Sequence, residues 1–139
     1  MIAYVDASVL LRLALGQQDA LREWRAIDRG ISSALITVES LRTLDRVRIR
    51  ANLQDSEVAS RRATVLKLIA SLEIVEITSP VVERAAQPMP TQLGTLDAIH
   101  LATAVLWKEF EGADLVMATH DRALAIAAQA HGLVTIGTE

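Results

Sequence analysis

Four carboxylates, Asp6, Glu39, Asp97 and Asp121, stand where short apolar runs give way to helical patterning, each at or near a predicted helix start. Acids are favoured in first turns because they complement the helix dipole and cap free N–H groups. Taken singly, each is explained by that preference. Asp97 fits it least well, because the helix it opens has almost no polar face, and an ionised carboxylate beside a buried helix needs partners or a cation. Were all four acids to meet, each would resist ionising unless a cation compensated their repulsion. Hard oxygen donors without a His–Cys cluster suit Mg²⁺ or Mn²⁺ rather than zinc. Such a centre supports several reactions, and spacing alone does not choose among them.

The elements that would position these acids alternate between strand and helix. Ile2 to Val5 reads as a strand, and Ala7 to Leu15 as a helix closed by Gly16. Asp19 to Arg29 reads as a second helical stretch, broken by Gly30, with Leu21, Trp24 and Ile27 at every third position. Ile31 to Leu35 is a short strand, Thr37 to about Arg50 a helix lined by Leu41, Leu44 and Val47, and Ser56 to Leu72 another helix. Ile74 to Ile77 is β-branched and extended; Pro80 opens a short helix to Ala86, and Pro88 and Pro90 enforce a loop. Thr95 is placed to cap a buried helix from Leu96 to about Phe110. Leu115 to Ala118 (strand), Arg122 to Ala130 (helix stopped by Gly132) and Leu133 to Ile136 (strand) complete the chain. The expectation is one three-layer α/β/α domain over residues 1–139 with a mainly parallel sheet, its strand order left open.

In a parallel sheet, a helix that directly follows a strand starts at the sheet's carboxyl edge, and so does a helix that feeds the next strand. That edge is where ligands bind in open α/β sheets. Asp6 ends the first strand, Glu39 opens the helix after the second, Asp97 is the second residue of the buried helix, and Asp121 follows the strand which that helix feeds. All four acids are therefore expected on one edge.

Composition limits the alternatives. At 139 residues, about half of them apolar, the chain can bury one full core and is not disordered. It has no cysteine, which excludes disulfides, zinc–thiolate sites and thiol chemistry. No apolar run spans a bilayer, and the first residues do not read as a signal peptide, so a cytoplasmic protein with no membrane association is expected. A net charge of −3 argues against a nucleic-acid partner only until the four acids are set aside, when the balance turns slightly positive. Arg42, Arg46, Arg48, Arg50, Arg61, Arg62 and Lys67 crowd one stretch, and a local basic surface attracts phosphate regardless of overall charge.

Val5-Asp6-Ala7-Ser8, Thr37-Val38-Glu39-Ser40, Leu96-Asp97-Ala98-Ile99-His100-Leu101-Ala102-Thr103-Ala104 and Thr119-His120-Asp121 occur in an order and spacing that resemble PIN domains. Within that family they resemble the VapC-type toxins of toxin–antitoxin pairs. The resemblance runs over essentially the whole chain, and the Asp97 segment carries most of its specificity. It implies a sheet of about five parallel strands and a metal-dependent endoribonuclease. Asp6, Glu39, Asp97 and Asp121 would be its catalytic and metal-site acids, supported by Ser8 and Thr119. It further implies Mg²⁺ or Mn²⁺ as cofactor, RNA as substrate, products with a 5′-phosphate and a 3′-hydroxyl, a VapB-type antitoxin partner and a homodimer. One departure is local: Gln92, Leu93 and Gly94 precede the central motif, where family members often carry a basic residue.

Arg42, Arg46 and Arg50 follow one helical line, and an RNA- or partner-facing stripe is favoured over a merely solvated face. His100 is better explained as a hydrogen-bonded structural histidine than as a general base. His120 shapes the turn into Asp121, and His131 sits at a helix end. Leu21, Trp24 and Ile27 are assigned to the core rather than to an antitoxin groove. A serine hydrolase is disfavoured because no G-x-S-x-G elbow exists. A phosphotransfer receiver would need a late lysine beside the site, and a haloacid-type phosphatase would need an acid where Ser8 stands. The main rival is a non-catalytic PIN-like module that binds RNA or protein; retention of all four acids favours catalysis over it.

Overall fold

The computed structural model describes residues 1–139. Strands β1 (Ile2–Val5), β2 (Arg29–Ser33), β3 (Glu73–Val75), β4 (Val116–Ala118) and β5 (Val134–Ile136) form one sheet in the order β3-β2-β1-β4-β5. Every pairing is parallel, as the alternation of elements predicts. Helices α1 (Ala7–Ala14), α2 (Leu35–Ala51), α3 (Asp55–Ala70), α4 (Ser79–Ala85), α5 (Thr95–Glu111) and α6 (Arg122–Ala130) connect the strands.

The period of two along β1 divides the core. Ala3 and Val5 pack with Val9, Leu10 and Ile36 on one face, against Leu68 and Leu72 from the α3 end. Tyr4 points the other way and packs with Leu101, Ala104, Met117 and Leu124, so α5 and α6 cover that face. The chain moves outward from β1 to β3, then returns past β1 to build β4 and β5. Right-handed crossovers on opposite faces require this reversal. It leaves a crevice at the carboxyl ends of β1 and β4, the place where a doubly wound sheet binds ligands.

Several predicted elements shift. The stretch from Asp19 to Arg29 is not an α-helix: only Arg22–Ala26 forms a 3₁₀ turn, and Arg29 already pairs with Ile2 in the sheet. A spacing of three suits 3₁₀ geometry better than the α-helical 3.6. Leu21, Trp24 and Ile27 nevertheless pack on the core, as expected. Gly30 does not break a helix but lies inside β2 opposite Ala3. Helix α2 begins at Leu35, which places Glu39 one turn inside it rather than at its start. Gly94, not Thr95, precedes α5, and no side chain caps that helix. The middle of α5 is buried as predicted, whereas Phe110 near its end is exposed. No helix is long and apolar enough to cross a membrane.

Gly30 has a packing role that a Cβ would violate. A methyl group there would sit 2.5 Å from Leu72 Cδ2. Gly30→Ala is therefore expected to destabilise the protein by about 1–3 kcal/mol, the usual cost of overpacking, and urea unfolding measures it. An unchanged midpoint would mean that Leu72 moves aside freely.

Candidate active site

The carboxyl ends of β1 and β4 are joined by side chains. Asp6 leaves β1 in an extended conformation, and its N–H donates to Ala118 O at 3.1 Å. Its Oδ2 accepts from Ser8 Oγ at 2.7 Å and from Thr119 Oγ1 at 2.9 Å. Each hydroxyl also accepts from the backbone after β4: the His120 N–H reaches Ser8 Oγ, and the Asp121 N–H reaches Thr119 Oγ1, both at 3.0 Å. Ser8 and Thr119 thus tie Asp6 to the segment that carries Asp121. Asp121 is also the N-cap of α6, its Oδ1 accepting from the Leu124 N–H at 2.9 Å.

Glu39 approaches from α2 and Asp97 from the first turn of α5. Glu39 Oε1 is hydrogen-bonded to His100 Nε2, which also lies 4.0 Å from Asp6 Oδ1. Asp6 and His100 are buried, at 4% and 0% exposure. Asp97 reports the crowding most directly. Burial first, then the charges of Asp6, Asp121 and Glu39, push its carboxyl up to about 6, against a weaker opposing effect of His100. Burial pulls the His100 pKa down, but the hydrogen bond from Glu39 and the charges of Glu39, Asp6 and Asp97 outweigh it and raise the pKa. None of the four acids forms an ion pair with lysine or arginine; their one basic neighbour is the imidazole of His100.

An acidic crevice at this switch point, entered in the order Asp6, Glu39, Asp97, Asp121, coincides with a match of residues 3–130 to the model of the PIN domain. The chain belongs to the PIN-domain family. This PIN domain is 34% identical over 138 residues to Ribonuclease VapC46 of Mycobacterium tuberculosis, covering 96% of this chain and 95% of that protein. It is 29% identical over 134 residues to Ribonuclease VapC47 of the same species, covering 95% and 93% respectively. Among solved structures, VapBC2 of Rickettsia felis bound to a promoter DNA fragment aligns with a TM-score of 0.67 over 97% of both chains at 9% identity. A toxin–antitoxin complex from Klebsiella pneumoniae aligns at 0.65, with 21% identity over 88% of this chain and 90% of that one. These distant structures support the PIN-domain fold.

The donor set of this PIN domain fits a hard divalent cation. It offers carboxylate oxygens without thiolate, and ligand atoms of Asp6, Glu39 and His100 lie within 4.8 Å of one another. The Asp97 pKa is raised by burial first, and the neighbouring anions Asp6, Asp121 and Glu39 add to it. Of the three arginines singled out, Arg42 and Arg46 border a groove of about 300 Å³ that also contains Glu39, Ala7 and Leu96. Arg50 is exposed but lies outside that groove. A larger recess of about 680 Å³ runs along Arg12, Arg22 and Gly137, and His120 is its link to the acids.

Two residues of this PIN domain's site were not singled out from sequence. Tyr4 is fully buried, its Oη 2.6 Å from His100 Nδ1, and Ser33 contributes the N–H that reaches Tyr4 Oη at 3.0 Å. The available signal was a tyrosine inside an apolar strand, two residues before Asp6. A buried phenol requires a polar partner.

Proposed function

We infer that this protein is a VapC-type ribonuclease, the toxin of a type II toxin–antitoxin pair, that hydrolyses RNA phosphodiester bonds with a divalent metal. The observation that carries this reading is the meeting of Asp6 and Glu39 at His100, with Asp97 feeling the charges of Asp6, Asp121 and Glu39, in a PIN domain whose relatives are ribonucleases. Asp6, Glu39, Asp97 and Asp121 are the proposed catalytic and metal-site acids, with Ser8 and Thr119 holding Asp6 and Asp121 in register. Mg²⁺ or Mn²⁺ bound there would supply Lewis acidity toward water and toward the phosphoryl oxygens and leaving group. The chain's own contribution is positional. Ser8 and Thr119 saturate Asp6 Oδ2 with two donated hydrogen bonds, which fixes the carboxylate plane. The Leu124 N–H fixes Asp121 in the same way.

Arg42 and Arg46 border the groove beside Glu39 and would draw the RNA backbone toward the acids, with Arg50 extending that stripe. Neither Arg42 nor Arg46 has a carboxylate partner that would neutralise it. Arg42→Ala combined with Arg46→Ala is expected to raise KM for RNA and leave kcat nearly unchanged. For single-stranded RNA, each lost phosphate contact also lowers the salt slope of log K by about 0.7. Steady-state cleavage at several salt concentrations measures both. An unchanged KM and salt slope would remove the arginine stripe from the RNA path.

The partner proposed is a VapB-type antitoxin whose tail enters the acidic cleft, with a second copy of this chain forming a homodimer in the cytoplasm. Support comes from the neighbouring VapBC2 and toxin–antitoxin structures. Incubating pooled cellular RNA with the protein and Mg²⁺ or Mn²⁺, beside Asp97→Asn, tests the activity. Discrete products bearing 5′-phosphates, absent with the variant, are expected. A folded wild type inert on every RNA would leave the non-catalytic binding module as the better reading.

A further inference from the structure

Behind the acids runs a buried hydrogen-bond chain whose direction is set at its far end. The Ser33 backbone N–H can only donate, so Tyr4 Oη accepts there at 3.0 Å. The flanking hydroxyls of Ser32 and Thr103 donate to Val5 O and Ile99 O, each at 2.7 Å, and so do not donate to Tyr4. A phenol, with an ordinary pKa of about 10, keeps its proton at neutral pH. Of the two groups in hydrogen-bond geometry with Tyr4 Oη, Ser33 N–H donates, so the phenolic proton lies along the 2.6 Å contact to His100 Nδ1. Nδ1 is then the acceptor of the ring, and Nε2, facing a carboxylate that can only accept, carries the hydrogen. Nε2 is the atom that meets Glu39 Oε1.

We propose that Tyr4 and His100 form a positioning relay that locks the Nε2–H tautomer and holds the Glu39 carboxylate ready for the metal, and that His100 is not itself a metal ligand. On distance alone His100 could be one, since Nε2 belongs to the same cluster as the ligand oxygens of Asp6 and Glu39. The relay closes that option, because a nitrogen ligates through the lone pair that the proton occupies. The chain crosses four elements: Ser33 on β2, Tyr4 on β1, His100 on α5 and Glu39 on α2. It thereby orients Glu39 against the sheet, although Glu39 itself sits on a helix one turn from its end. Hydrogen-bond partners of metal-binding carboxylates typically change metal affinity by about 10–100-fold when removed. The role assigned to the metal rests on the proposed function; the tautomer does not.

The test has a metal-free arm and a metal-bound arm. Long-range ¹H–¹⁵N correlation spectra of the metal-free wild type should show His100 protonated on Nε2 and bare on Nδ1; the reverse pattern overturns the relay. In Tyr4→Phe the Nδ1 resonance should move, because its hydrogen-bond donor is gone, while Glu39 keeps Nε2 protonated. By electron paramagnetic resonance, His100→Ala should bind Mn²⁺ about 10–100-fold more weakly. His100→Gln, whose amide N–H can still donate to Glu39, should recover most of that loss. Spin-echo spectra of the Mn²⁺-loaded wild type should lack a directly coupled imidazole nitrogen, and its presence overturns the exclusion of His100 from the ligands. If no Mn²⁺ binds, the metal reading of the whole site fails, and the metal-free spectra alone decide the relay.

Discussion

Asp6→Asn is expected to reduce RNA cleavage by about 10²–10³-fold, the equivalent of several kcal/mol of lost charge stabilisation in the transition state. Asp6 sits between the two halves of the site, bonded to Ser8 and Thr119 on one oxygen and 4.0 Å from His100 Nε2 on the other. An asparagine can turn its carbonyl oxygen toward the two hydroxyls and keep both hydrogen bonds. What it removes is the negative charge on a side chain that is almost wholly buried. The loss should thus appear in kcat with the fold intact. Steady-state kinetics beside a thermal melt separate the two effects. A variant with near-normal turnover would show that the charge at position 6 is not part of the chemistry.

The second expectation concerns pH. In the folded, metal-free protein the Asp97 carboxyl is pushed up to about 6 from its ordinary 3.8, by burial and by the charges of Asp6, Asp121 and Glu39. The folded state then holds this proton more tightly than the unfolded chain does. Stability from this group falls as pH rises from 3.8 to about 6, and the penalty is fully present above that range. Asp97→Asn should accordingly melt higher than wild type at pH 7.5 in chelator. Because the side chain is only half-buried, solvent screening trims the gain to about 2–4 °C. Near pH 3 the difference should vanish. Metal binding runs against the same proton: below pH 6 the apparent metal Kd of the wild type should rise by about tenfold per pH unit, if one proton is displaced. Equal melting temperatures at pH 7.5, with a flat Kd between pH 5 and 7, would show that Asp97 is not held in an anionic cluster.

The legibility of the site depended on how local its causes are. The acids were readable because each stands at a change of element, and strand–helix alternation brings such positions to one sheet edge. The 3.6-residue pattern of α5 was readable for the same reason, since its buried middle spans seven residues from Ala98 to Val105 that exclude only Ile99. Contacts distant in sequence were not. Thr119 meets Asp6 across 113 positions and Tyr4 meets His100 across 96, and no periodicity encodes either pairing. Strand order was hidden because it depends on which way each crossover turns.

The stretch from Asp19 to Arg29 misled for a different reason. Its apolar residues recur at three, and β2 claims Arg29 and Gly30 through parallel pairing with Ile2 and Ala3. Ladder formation there overrides any local helical preference. His100 is buried and has both ring nitrogens hydrogen-bonded, as befits a structural role more than that of a free base. Leu21, Trp24 and Ile27 likewise pack on the core side of the sheet.

The most direct test of a metal-dependent acidic centre is cleavage of a defined RNA as a function of added Mn²⁺ after exhaustive chelation, with binding followed in parallel by paramagnetic resonance. Saturable Mn²⁺ binding that tracks the return of cleavage, with both strongly reduced in Asp6→Asn, is the predicted result. Undiminished cleavage by the chelated wild type, or activity that returns without any bound Mn²⁺, would contradict it.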